Sequence, residues 1–106
     1  MSPSALSIRV LDLEDLTVVG LDGSFGADEA EHVGEVVDRA LDRPGSTVVL
    51  DLSLLDHLAV EGSDTLARAA RQAHERHGRV VVREPSPATR AVLDLTGASD
   101  EIEFTD

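Results

Sequence analysis

The sequence predicts an α/β fold, a small mixed β-sheet with helices packed mainly on one face. Two observations carry that expectation. Apolar runs with strand periodicity alternate along the chain with segments whose apolar residues recur at helical spacing. Hydrophobic residues make up 42% of the chain, mostly Leu, Val and Ala, and Phe25 and Phe104 are its two aromatics. Aliphatic side chains of this kind suit a sheet packed under helices. A length of 106 residues supports one two-layer core and is too short for two. Residues 1–106 are therefore read as a single domain.

Each element has its own signal. From Leu6 to Leu11, apolar Leu6, Ile8 and Val10 alternate with Ser7 and Arg9, as in a half-buried strand. The acidic stretch Asp12-Leu13-Glu14-Asp15 supplies a turn, and Leu16 to Leu21 is the hairpin partner. Gly23 and Gly26 are expected to break that strand and lead into a helix capped by Asp28 and running to Leu41. Ala30, Val33, Val37, Ala40 and Leu41 form its apolar stripe. Pro44-Gly45 ends it. Thr47 to Leu52 is a nearly continuous apolar run, the mark of a central strand covered on one face or both.

A short loop then leads to a second helix, expected from about Gly62 to just before Gly78. Its stripe is Leu66, Ala69, Ala70 and Ala73, small enough for a helix to lie close to a sheet. Arg79 to Arg83 is a further strand around three valines. Pro85-Ser86-Pro87 sets up a third helix, with Ser86 as N-cap, Pro87 at the first helical position and Gly97 beyond the end. Ala88, Ala91, Val92 and Leu95 are expected on its inner face, and Glu101 to Phe104 as a final edge strand. Strands alternating with helices in this order give a mostly parallel sheet.

Composition narrows the function. Asp and Glu outnumber basic residues 21 to 9, for a formal net charge of −12. That balance opposes nucleic acid and anionic membranes, and favours a basic protein partner. With two aromatics there is no platform on which bases stack. All nine basic residues are Arg, which with abundant Ala, Val, Gly and Asp suggests a GC-rich bacterial genome such as that of an actinobacterium. Cysteine is absent, which excludes disulfides, thiolate metal sites and cysteine nucleophiles. No segment has the pattern of a signal peptide or the roughly 20 apolar residues of a membrane span, so a cytoplasmic protein without membrane insertion is expected.

Val48-Val49-Leu50-Asp51-Leu52-Ser53, followed by Leu58, Gly62 and Leu66, resembles the core pattern of STAS domains, the family of bacterial anti-sigma factor antagonists. Pro85, Ser86, Pro87, Arg90, Val92, Leu93, Leu95, Thr96 and Gly97 match a second stretch of the same pattern. The resemblance spans residues 6 to 106 and implies the STAS fold. It also implies an anti-sigma factor of the histidine-kinase-like ATPase type as partner. In the family that partner phosphorylates a serine within an Asp-Ser-Ser triplet, and the added charge breaks the complex. Here the triplet is Ala59-Val60-Glu61, so Glu61 stands at the phosphosite. A Gly-Glu-Leu-Asp-like run of the family is also changed, to Gly23-Ser24-Phe25-Gly26.

Three roles are open to Glu61: a built-in imitation of the phosphorylated state, an adaptation to another partner, or an acid favoured by the helix dipole by roughly 0.3–1 kcal/mol. The expected partner surface comprises Ser24, Asp28, His57, Glu61, Gly62, Ser63, Asp64, Thr65 and Arg68. Ser63 is an alternative kinase target, although Ser63 and Thr65 read more simply as polar residues on a helix surface. His57 with Asp56 reads as solvated or structural on a loop. His74 and His77 lie three apart but lack a third metal ligand.

No nucleophile elbow, Walker loop or dinucleotide fingerprint accompanies the Ser, His and Asp residues. An enzyme is not expected, and neither a cofactor nor a metal is. A STAS accessory subunit of a lipid-transport ATPase and a scaffold or oligomerisation module in a signalling complex remain alternative functions.

Overall fold

The computed structural model describes residues 5–105. Its strands are β1 (Leu6–Asp12), β2 (Thr17–Phe25), β3 (Thr47–Asp51), β4 (Leu55–Leu58), β5 (Arg79–Arg83) and β6 (Glu103–Thr105). The helices are α1 (Ala27–Ala40), α2 (Val60–Glu75) and α3 (Pro87–Leu95), with a short 3-10 turn at Ala98–Asp100. The sheet is mixed, in the order β1-β2-β3-β5-β6. β1 and β2 form the expected antiparallel hairpin, and every other pairing is parallel.

Strand periodicity explains where the core sits. Val19 and Leu21 on β2, Val48 and Leu50 on β3, and Val80 and Val82 on β5 all point to one face and are fully buried. Val33 and Val37 of α1, Leu66, Ala70 and Ala73 of α2, and Leu93 of α3 pack against them in one cluster. The helices thus cover one face of the sheet. On β3 the alternate residues Thr47, Val49 and Asp51 are only half-buried, so this strand is covered fully on one face. The same parity carries Leu6, Ile8 and Val10 towards the helices, but coverage fades along the edge strand. Leu6 is buried, Ile8 half-buried and Val10 exposed.

Several expected boundaries move. β2 does not stop before Gly23 but runs through it to Phe25, with a register shift between Gly23 and Ser24. Gly23 has φ +112°, a conformation that only glycine adopts easily, so it bends the strand without ending it. α1 is capped by Gly26, not Asp28. The Glu29 carboxylate accepts the Gly26 N–H at 2.9 Å, one half of a capping box that satisfies a free helix-end donor. The stretch before α2, expected as a loop, contains β4, which pairs with the extension of β2.

α2 begins at Val60, two residues earlier than the glycine signal suggested. The Ser63 N–H already closes the first turn on the Ala59 carbonyl at 3.0 Å. In α3 the Ser86 hydroxyl accepts the Thr89 N–H at 3.1 Å, as expected for an N-cap. The helix turns a different side inward, however. Thr89 and Leu93 are buried and Val92 packs half-buried against the core as expected, while Ala88 and Ala91 are exposed and Leu95 is 83% exposed.

Candidate functional site

The stretch from His57 to Arg68 is assembled by β4 and the first turns of α2. Its anchor is Phe25. The Ala59 N–H donates to the Phe25 carbonyl at 2.9 Å, which fixes where the chain leaves β4 and enters α2. On the other side of Phe25 lies Gly26, the cap of α1. The two helix N-termini therefore start on either side of one buried aromatic residue.

Gly62 makes this approach possible. A Cβ there would lie 2.9 Å from the Phe25 carbonyl oxygen and 2.9 Å from Leu58 Cδ1. Those contacts are closer than packed atoms tolerate, so only glycine lets the first turn of α2 sit on the end of β2.

The structure divides the expected surface residues into two groups. His57, Glu61, Asp64 and Arg68 are exposed, as is Asp28 in the first turn of α1. Ser24 is half-buried and lies beside His57 across the β2–β4 pair. His57 is on a strand, not on a loop. Glu61 occupies the first turn of α2, where backbone N–H groups and the helix dipole favour a carboxylate.

Gly62, Ser63 and Thr65 point inward. Ser63 is fully buried, and its hydroxyl is 2.7 Å from that of Thr96 at the end of α3. Thr65 is 8% exposed, and its hydroxyl donates back to the Glu61 carbonyl at 3.1 Å. Neither residue is the helix-surface hydroxyl that the sequence suggested. Helical spacing accounts for the difference. Ser63, Leu66 and Ala70 share one stripe, and that stripe faces the core.

Two neighbours of the site escape a reading of local sequence. Thr96 holds Ser63 across 33 positions, and its hydroxyl also lies 3.0 Å from the Val92 carbonyl. It falls within the Leu-Thr-Gly run at residues 95–97, a signal for its place in the pattern but not for its partner. Val60 is 51% exposed immediately before Glu61, so an apolar and an acidic side chain share the first turn.

Asp51, at the start of the Asp51-Leu52-Ser53 motif, organises the turn into β4. Its carboxylate accepts the Ser53 N–H at 3.0 Å. Hydrogen bonding from Ser53, helped by Arg83 and Arg9, holds its pKa below the ordinary aspartate value despite some desolvation. Among the described residues no group of three or more His, Cys, Asp or Glu is arranged to hold a metal ion. His74 instead lies 3.9 Å from Glu101. No helix of the described residues is long and apolar enough to cross a membrane.

Comparison with known proteins agrees with this architecture. A family model described as "Mlab, STAS domain" matches residues 10–103. BtrV of Bordetella bronchiseptica, named as an anti-sigma factor antagonist, is 26% identical over 85 residues, covering 80% of this chain and 73% of that protein. An anti-sigma factor antagonist from Mycobacterium paratuberculosis superposes with a TM-score of 0.82 at 23% identity, over 97% of this chain and 87% of that one. The phosphorylated form of the Bacillus cell-fate determinant SpoIIAA superposes with a TM-score of 0.72 at 17% identity, over 96% and 92%.

Proposed function

Because the chain belongs to the STAS domain family, we propose that it is a non-catalytic interaction domain of the anti-sigma factor antagonist type, with residues 1–106 acting as one unit. Its partner on this reading is an anti-sigma factor of the histidine-kinase-like ATPase class. The binding surface is the exposed set His57, Glu61, Asp64 and Arg68, with Val60 beside them and Ser24 and Asp28 at the margin. Phosphorylation does not regulate it at the usual position.

One observation carries this reading. Glu61, which the resemblance sets at the family's serine position, is exposed in the first turn of α2, and the nearest hydroxyl in the same turn, Ser63, is fully buried. A kinase would find no acceptor there without opening the contact between α2 and α3. The Glu61 carboxylate supplies about half the charge of a phosphate, permanently and at the same helix end. Relatives named as anti-sigma factor antagonists support an anti-sigma factor as partner, and its ATPase class rests on the resemblance alone.

The test is a tagged pull-down from the source organism with the native chain and with Glu61→Ser, followed by mass spectrometry and by labelling with radioactive ATP. An ATPase-type anti-sigma factor held by the native chain, with label entering only the serine variant, is the expected result. Recovery by the serine variant alone would make Glu61 a permanent phosphate mimic that switches binding off. Failure of both chains to recover such a factor would overturn the reading. The Mlab description of the matching family model favours a second reading, an accessory subunit of a lipid-transport ATPase. Recovery of a transporter nucleotide-binding subunit in the same experiment would select it.

A further inference from the structure

The first turn of α2 lacks the support that a helix end usually has. Its N-cap, Ala59, has no side-chain oxygen to accept the free N–H groups of the turn. Contacts from other elements hold it instead. The Ala59 N–H donates to the Phe25 carbonyl at 2.9 Å, Gly62 sits against Phe25 and Leu58, and the Ser63 hydroxyl lies 2.7 Å from that of Thr96. The first two seat the turn on the ends of β2 and β4. The third ties it to the C-cap residue of α3.

Geometry places the protons of that hydroxyl pair. Thr96 Oγ1 is 3.0 Å from the Val92 carbonyl oxygen and 3.4 Å from that of Leu93, and a carbonyl only accepts. The single Thr96 proton is therefore directed into its own helix, and Ser63 is the donor between the helices. Ser63 is fully buried, and its hydroxyl has no other hydrogen-bond partner among the described residues. The two ends of the pair are thus unequal. Without the Ser63 hydroxyl, Thr96 keeps its bond to Val92. Without the Thr96 hydroxyl, Ser63 is a buried donor with no acceptor. The Val92 carbonyl loses little in either case, because it also accepts the Thr96 N–H at 3.0 Å.

We propose that Thr96 is a positioning residue for the surface around Glu61: by accepting from Ser63, it sets the rotation of the first turn of α2. Ser63 points inward between Glu61 and Asp64, which point outward from the same stretch of helix. A rotation of the turn that broke the Ser63–Thr96 contact would swing both acids through the same angle. α3 carries none of the exposed residues assigned to the partner surface, yet through one buried hydroxyl it governs their direction. What binds there rests on the function proposed above; how the turn is held does not.

Residual dipolar couplings of the backbone N–H groups, measured on the full chain without a partner, test it in wild type, Thr96→Val and Thr96→Ser. Thr96→Val should shift the couplings of residues 60–64 while those of β3 and β5 keep their wild-type values, and Thr96→Ser should restore all of them. Couplings at residues 60–64 that do not move in Thr96→Val overturn the proposal, since a hydroxyl that served stability alone would leave the orientation intact. Urea denaturation checks the direction of the bond. Thr96→Val should lower the folding constant about tenfold more than Ser63→Ala, and adding Ser63→Ala to Thr96→Val should recover part of the loss. A double variant no more stable than Thr96→Val overturns Ser63 as donor. Any partner recovered by the native chain should bind Thr96→Val about tenfold more weakly and Thr96→Ser equally well. Equal binding by the valine variant would also overturn the positioning role. Failure to recover a partner counts against the function proposed above, and the couplings then decide this role alone.

Discussion

Asp51 shows how a single side chain fixes the path into the site. Its carboxylate holds the Ser53 N–H, and the chain then turns into β4 and reaches the first turn of α2. Because its pKa is lowered in the folded state, Asp51 contributes stability that is present above the unfolded value of about 3.9. That contribution is lost as pH falls through the depressed folded value. The stability difference between wild type and Asp51→Asn should therefore be constant near neutrality and shrink in acid below about pH 4. Urea denaturation of both proteins at several pH values measures it, and a gap that persists unchanged into acid would refute the assignment. Leu52, Ser53, Gly62 and Leu66 were legible here from their pattern alone. The buried partnership of Ser63 with Thr96 was not, because a hydroxyl on an amphipathic helix gives no sign of what waits 33 residues later.

Elements show the same division more sharply. The N-cap of α2 is Ala59, whose extended φ of −82° and ψ of 164° suit that role, yet alanine offers no side-chain oxygen to the free N–H groups of the first turn. The resemblance sets the Asp of the family's triplet at this point. Ala59→Asp should therefore stabilise the fold by about 0.5–2 kcal/mol, read as a rise in Tm of several degrees. An unchanged Tm would mean that the contact with Phe25 already holds the helix start. For α3, Leu93→Ala should cost about 2–5 kcal/mol because it opens a cavity in the core. Leu95→Ala should cost almost nothing in dilute protein, since its side chain is already in water. Thermal denaturation of the two variants at low concentration distinguishes them. The four-residue strand β4 was missed because its pairing lies with a distant bend in β2 and leaves little local periodicity.

At the scale of the whole molecule, a charge of −12 on 106 residues opposes compaction. Salt shortens the range of that repulsion, from about 30 Å at 0.01 M to about 3 Å at 1 M. Tm should rise as sodium chloride is increased from about 0.02 to about 0.5 M, and a flat or falling Tm would show that local ion pairs outweigh the net charge. The sequence by itself determined the fold class, the order of the three helices and of every strand but β4, and the aliphatic core. Those features are written in local periodicity and in residue types that sit within a few positions of one another. The tertiary structure decided which side of each helix faces inward, that Ser63 is sealed beneath α3, and that a short strand paired with the bent end of β2 carries His57. It also decided that α3 turns Leu95 to the solvent. Periodicity defines an apolar stripe, but only packing against the rest of the chain selects which stripe is buried.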